Sequence, residues 1–154
     1  MAADAMSRTL VADLHRAVGD QVRVCGWVHE ILAAEDPPMI VLRDHTGRVP
    51  LVGGGPQREG LAGLSVESAI EATGTVTSYA EEIAVVIEGL EVAGPATAPL
   101  PLTAGSPLDD RLDWRYLDLR QPRNRLIFEV QTTAERAMRA VWHEHGFMEI
   151  HSPK

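Results

Sequence analysis

His143-Glu144-His145 sets two imidazoles around a carboxylate, the kind of group that holds a metal ion or relays a proton. The spacing argues against both. Residues two apart on a helix point in different directions, and H-E-H lacks the H-E-x-x-H interval that puts two zinc ligands on one helix face. A solvated helix end is the better reading. Cys25 is the only cysteine, so the chain can form no internal disulfide and no cysteine-based zinc site. With no histidine at a suggestive interval, it reads as a buried strand residue. Ser7, Ser65, Ser68, Ser78 and Ser106 stand in no nucleophile-elbow context. Gly53-Gly54-Gly55-Pro56 lacks both phosphate-loop spacings and no lysine follows it, which leaves a flexible connector. No catalytic residue and no metal ligand emerges from the residue types.

The elements around these residues are short. Thr9–Ala17 has a helical pattern, and Gly19-Asp20 is a turn. Gln21–Leu32 alternates as a strand, with Val22, Val24, Gly26, Val28 and Glu30 on one side and Arg23, Cys25, Trp27 and His29 on the other. Gly26 within it suggests a bend or a close backbone approach. Asp36-Pro37-Pro38 is a turn. Met39–Arg43 and Arg48–Val52 are further strands, joined by the turn Asp44–Gly47. Pro50 cannot donate to a ladder, which puts it at an edge or a bulge. A short helix is expected over Gln57–Leu64. Strands follow over Glu67–Thr77 and Ile83–Val92, with a turn near Tyr79–Glu82. Five short strands with a helix between the third and fourth is the order of an OB-fold barrel. Only 5% of residues are aromatic, so Val, Leu, Ile and Ala must fill the core.

Gly94–Pro107 is rich in Pro, Ala and Thr and reads as a linker. Then comes a joint, Arg111–Arg125 (RLDWRYLDLRQPRNR), crowded with arginines and aspartates and carrying Leu112, Tyr116 and Leu119 at helical spacing. Composition alone makes it a charged helix laced by salt bridges. Pro122 stops one helix and opens the next. Arg123–His145 repeats apolar residues at steps of three and four and ends at Gly146. Phe147–His151 is expected to be a strand. The predicted whole is mainly β with α: a five-stranded OB-fold barrel, a hinge, then a long amphipathic helix plus a short strand. Its boundaries are a disordered start over 1–8, the barrel over 9–94, linker and hinge over 95–122, and a further segment over 123–154.

The word order of the joint, R-L-D-x-R-Y-L-D-L-R-x-P, resembles the hinge between the anticodon-binding and catalytic domains of aspartyl-tRNA synthetases and their asparaginyl relatives. The segments V-R-V-C-G-W-V, L-R-D-x-T-G and E-A-T-G-T-V occur in the family's order. The helix and the residues to Pro153 resemble the first signature motif of class II synthetases. The resemblance implies a tRNA-binding barrel followed by a truncated start of the catalytic domain. The second and third class II motifs, which hold ATP, have no counterpart in these residues. ATP and magnesium are therefore expected only if a missing catalytic domain is supplied, and no aminoacylation is expected of this chain alone.

In the family, an arginine, a phenylalanine and a glutamine on the first three strands read the anticodon. The corresponding positions here hold Leu32, Met39 and Pro50, which cannot do so. The basic residues left near that face are His29, Arg43, His45 and Arg48, the candidate nucleic-acid contacts. The net charge of −8 does not advertise non-specific nucleic-acid binding. Two readings stay open: a tRNA-binding module, or a degenerate copy whose barrel serves protein–protein contact.

The family packs its first motif across a two-fold axis. The resemblance thus implies a homodimer, or a synthetase-like partner, through Leu126, Val130, Ala134, Met138, Val141, Trp142, Phe147 and Pro153. The single cysteine fits a reducing cytosol. The start is neither basic nor apolar enough for a signal peptide. A cytoplasmic setting without membrane contact is expected.

Overall fold

The computed structural model describes residues 6–32, 37–53, 61, 63–79, 82–97, 99–103 and 105–151. By its internal contacts the chain divides into two compact units, Met1–Pro99 and Leu100–Lys154.

The first unit is built from five strands: β1 (Gln21–Leu32), β2 (Met39–Arg43), β3 (Arg48–Gly53), β4 (Ala69–Tyr79) and β5 (Glu82–Gly94). Their pairings run β1-β2-β3-β5-β4 and return to β1, so the sheet closes on itself. All pairs are antiparallel except β3 with β5. Period-two alternation drives the closure. Val22, Val24 and Val28 of β1 and Ile40 and Leu42 of β2 turn inward and are at most 3% exposed, while their neighbours face out. Leu51, Ile70, Val76, Val85 and Ile87 add to this core, which holds no aromatic ring among the described residues. Leu14 plugs it from a short 3-10 helix, Val11–Arg16, which replaces the longer helix expected over Thr9–Ala17.

Closing so small a ring brings backbones together, and the glycines show where. A Cβ on Gly26 would enter the van der Waals shell of the Arg43 carbonyl and meet Leu42 Cδ2 at 2.9 Å. Here lies the close approach that the sequence suggested. The pairing of β1 with β2 skips a residue between Val28 and Glu30. That bulge flips the alternation, so Glu30 is exposed where an inward position was expected, and Ile31 packs against the core instead. Pro50 pairs with Val41 of β2, but β3 meets β5 only from Leu51 to Gly53. At Pro50 the strand is thus locally an edge, where a missing N–H costs nothing. Gly53, expected to open a connector, instead ends β3 as the register partner of Ile87. The rest of that connector to Pro56, most of the helix expected at Gln57–Leu64, part of the Asp36–Pro38 turn and the centre of the Tyr79–Glu82 turn lie outside the described residues. Leu61 is buried in the core.

The turn from β2 to β3 is organised by Asp44. Its Oδ1 accepts from the N–H groups of Thr46 and Gly47 and from the Thr46 hydroxyl, and its Oδ2 accepts from Val11 N–H at 2.9 Å. Burial pushes this carboxyl up. The Thr46 hydroxyl and the backbone N–H groups of Val11, Thr46 and Gly47 outweigh that effect and hold it below the usual aspartate range. A carboxyl with a depressed folded-state pKa contributes stability above its unfolded pKa of about 3.9, and the contribution fades as pH falls through the folded value. Asp44→Ala, which orphans three backbone donors, should cost about 3 kcal/mol at pH 7 in a urea melt. The gap from wild type should narrow as pH falls below the ordinary aspartate range and through the lower folded-state value of Asp44.

The second unit holds α1 (Leu108–Asp113), α2 (Arg115–Asp118) and α3 (Pro122–Glu144). The charged joint has a hub. Asp118 is fully buried, accepts from Arg111 Nε at 2.8 Å and Asn124 Nδ2 at 2.7 Å, and pairs with Arg115. Its hydrogen bond to Arg111 is the main force holding its carboxyl below the usual range, against the cost of burial. Arg115 also lies over the Phe128 ring, 5.3 Å from its centroid. Pro122 opens α3 as expected, and Gly146, at φ +79°, follows its end. Phe147–His151 was expected to be a strand, and it is not. A strand needs a ladder partner, and none is present for these residues among those described. No helix of the described chain is long and apolar enough to cross a membrane.

Candidate nucleic-acid interface

The outward residues of β1, β2 and β3 form one face of the closed sheet. Arg43 of β2 has Trp27 of β1 and Arg48 of β3 as its register partners. Three of the four basic residues singled out from the sequence, His29, Arg43 and Arg48, therefore meet at one end of this face. His45 sits in the Asp44–Gly47 turn beside them and is exposed.

They are not equally available. Arg48 is exposed, but the side chain of Arg43 is only 16% exposed. One Arg43 nitrogen, Nη2, donates to both carboxylate oxygens of Glu67 at 2.8 and 2.9 Å. Its other terminal nitrogen lies 3.3 Å from His29 Nδ1. A guanidinium can only donate, so His29 Nδ1 accepts and the ring carries its proton on Nε2. Partial burial, and then the charges of Arg48 and Arg43, hold the His29 imidazole below its ordinary pKa and favour that neutral form. Glu67 had not been singled out. Its backbone sits at φ +70°, the only described residue besides glycine with positive φ, and sequence carries no signal for that.

At the other end the face is apolar. Leu32 and Met39 are register partners, Pro50 lies beside Val41, and all four are partly exposed. Leu32, Met39 and Pro50 offer neither an aromatic ring nor a polar side chain there.

Beyond this face, Arg23 pairs with Glu71 between β1 and β4. Cys25, read from sequence as buried, is half-buried on the outside, with Sγ 3.7 Å from Glu71. Burial pushes its thiol up, and the pull of Arg23 does not offset that. Among the described residues no three His, Cys, Asp or Glu side chains are placed to hold a metal ion.

On the second unit the expected contact residues are laid out along α3. Leu126, Val130, Met138, Val141 and Trp142 are each about half exposed, at 49–60%, and Phe147 is 67% exposed. Ala134 lies exposed among them, and Pro153 falls outside the described residues.

A mainly β unit of five strands followed by a helical unit also occurs in solved aspartyl- and asparaginyl-tRNA synthetases. An asparaginyl-tRNA synthetase from Pyrococcus horikoshii superposes on 96% of this chain and 36% of its own with a TM-score of 0.84, at 24% identity. An aspartyl-tRNA synthetase from Entamoeba histolytica does so on 98% of this chain and 40% of its own, TM-score 0.83, at 19% identity. These likenesses concern the fold. The family model for class II tRNA synthetases (D, K and N) matches residues 108–154. The aspartate–tRNA(Asp/Asn) ligase of Methanopyrus kandleri is 34% identical over 150 residues, covering 88% of this chain and 34% of the ligase. That of Archaeoglobus fulgidus is 36% identical over 148 residues, with the same coverages. The chain belongs to the aspartyl/asparaginyl family of class II tRNA synthetases. It spans about a third of the length of the curated relatives it matches.

Proposed function

We propose that the first unit is an OB-type barrel that binds single-stranded nucleic acid, with tRNA as its ligand, in a synthetase-like protein. The observation that supports this most is identity of 34–36% across 88% of the chain to proteins named for joining aspartate to tRNA. His29, Arg43 and Arg48 converge on one face, where the exposed Arg48 supplies positive charge of the kind such a module uses. His45 extends it at the turn. No adenylate chemistry is assigned to these residues, since positioned charge around ATP is most of what that chemistry requires. In the second unit, the stripe Leu126–Val130–Ala134–Met138–Val141–Trp142 of α3, with Phe147 and Pro153, seats a second copy of the chain. A cytoplasmic setting goes with this reading.

A fluorescence titration with tRNA-Asp and a non-cognate tRNA tests the nucleic-acid reading. Binding should weaken with salt along a shallow log–log slope of about −0.7, as expected of one phosphate contact to a single strand, made by Arg48. The absent reading residues predict cognate and non-cognate affinities within about fivefold, since each stacking ring lost forfeits about 1–3 kcal/mol. The apolar end around Met39, Val41 and Pro50 favours a second reading, a surface for protein contact. Absence of salt-dependent tRNA binding would decide for it.

A further inference from the structure

Glu67 combines two features that need a joint explanation. Its backbone lies at φ +70°, a region that costs an L-residue strain and that glycine occupies freely. Its amide donates to Val28 O at 2.7 Å, and the next carbonyl, of Ser68, accepts from Val28 N at 2.9 Å. The turn is therefore clipped to β1 on both sides. A glycine would make the same turn without strain, so the side chain is what the position retains. That side chain, 10% exposed, is spent on Arg43, the central cation of the basic cluster. Strained non-glycine residues gather where a side chain must be held at a site.

We infer that Glu67 is an internal stand-in for nucleic-acid phosphate: it occupies Arg43 and withholds that guanidinium from ligand, so Arg48 carries the contact alone. The inference rests on the nucleic-acid reading of this face and adds a residue that sets its affinity. A carboxylate and a phosphate compete for the same donors on Arg43. While Glu67 holds them, an approaching backbone meets a neutral pair. With Glu67 removed, Arg43 presents a second full charge beside its register partner Arg48.

The test uses the full chain, Glu67→Gln and Glu67→Gly, and a labelled unstructured RNA of about 12 nucleotides, within the site size of one such fold. Gln removes the charge and keeps the shape. Gly removes the charge and the strain together, so at least one variant should fold, as circular dichroism will show. Both are expected to bind about fivefold tighter at ~50 mM salt, with the salt slope steeper by about 0.7, the increment for one added contact to a single strand. Adding Arg43→Gln to Glu67→Gln should return affinity and slope to wild-type values. Unchanged or weaker binding by folded variants, while wild type binds, would overturn the inference and leave the nucleic-acid reading standing. Absence of binding by wild type and both variants alike would overturn the reading of the face, and this inference with it.

Discussion

Val130→Glu in α3 is expected to convert a dimeric chain into monomers. Val130 is 60% exposed and stands within a stripe whose members at Leu126, Met138, Val141 and Trp142 are all about half exposed. Scattered apolar residues on a surface need no explanation, but a contiguous patch marks an interface or an aggregation hazard. Here one helix of 23 residues carries the whole stripe. Pairing it with its twin across a two-fold axis would bury each residue against the same surface of the other copy. A glutamate at Val130 would then stand near its symmetry mate in an apolar seam, costing several kcal/mol for the pair. That weakens association by at least about a hundredfold. Light scattering at ~100 μM, well above the micromolar range of a weak specific interface, should give a dimer mass for wild type and a monomer mass for Val130→Glu. A clean monomer mass for wild type would refute the dimer.

Gly74→Val should cost about as much from a different cause. A Cβ at Gly74 would collide with the carbonyl oxygen of Val86 and stand 2.9 Å from Ile87 Cα. Both obstacles are backbone of β5, which β4 pairs along its full length. Backbone cannot step aside as a long side chain can, and the β4–β5 pairing is part of the ring. About 4 kcal/mol is expected, a large share of the 5–15 kcal/mol that holds a small domain together. Gly63→Ala is the control, because a Cβ there meets nothing within 4 Å. Its urea midpoint should stay within about 0.5 kcal/mol of wild type.

The legible parts of this fold were those set by local alternation. β1 and β2 begin and end where the pattern of valines and isoleucines says, since one inward residue in two is all that a strand against a core requires. The helix α3 is bounded by Pro122 and Gly146, residues whose backbone chemistry leaves little choice. What sequence missed depends on partners. Phe147–His151 has the composition of a strand, but pairing is a property of two segments. The bulge near His29 adds one residue to a ladder and so inverts the facing of everything after it, which no window of sequence foretells. The charged joint was plain, yet not that Asp118 alone would be fully buried and collect Arg111, Arg115 and Asn124. At the basic cluster, residue types led to His29, Arg43 and Arg48. Glu67 stayed hidden because its role follows from a positive φ and from a partner 24 residues away.

The central claim is that the basic end of the β1–β2–β3 face meets RNA. An NMR titration of the isotope-labelled chain with an anticodon stem-loop of tRNA-Asp reads this most directly. The account predicts that the amide signals of His29, Arg43, His45 and Arg48 shift together and saturate, and that the shifts shrink when salt is raised from ~50 to ~200 mM. Signals that stay fixed across this face, or shifts confined to residues 100–151, would contradict it.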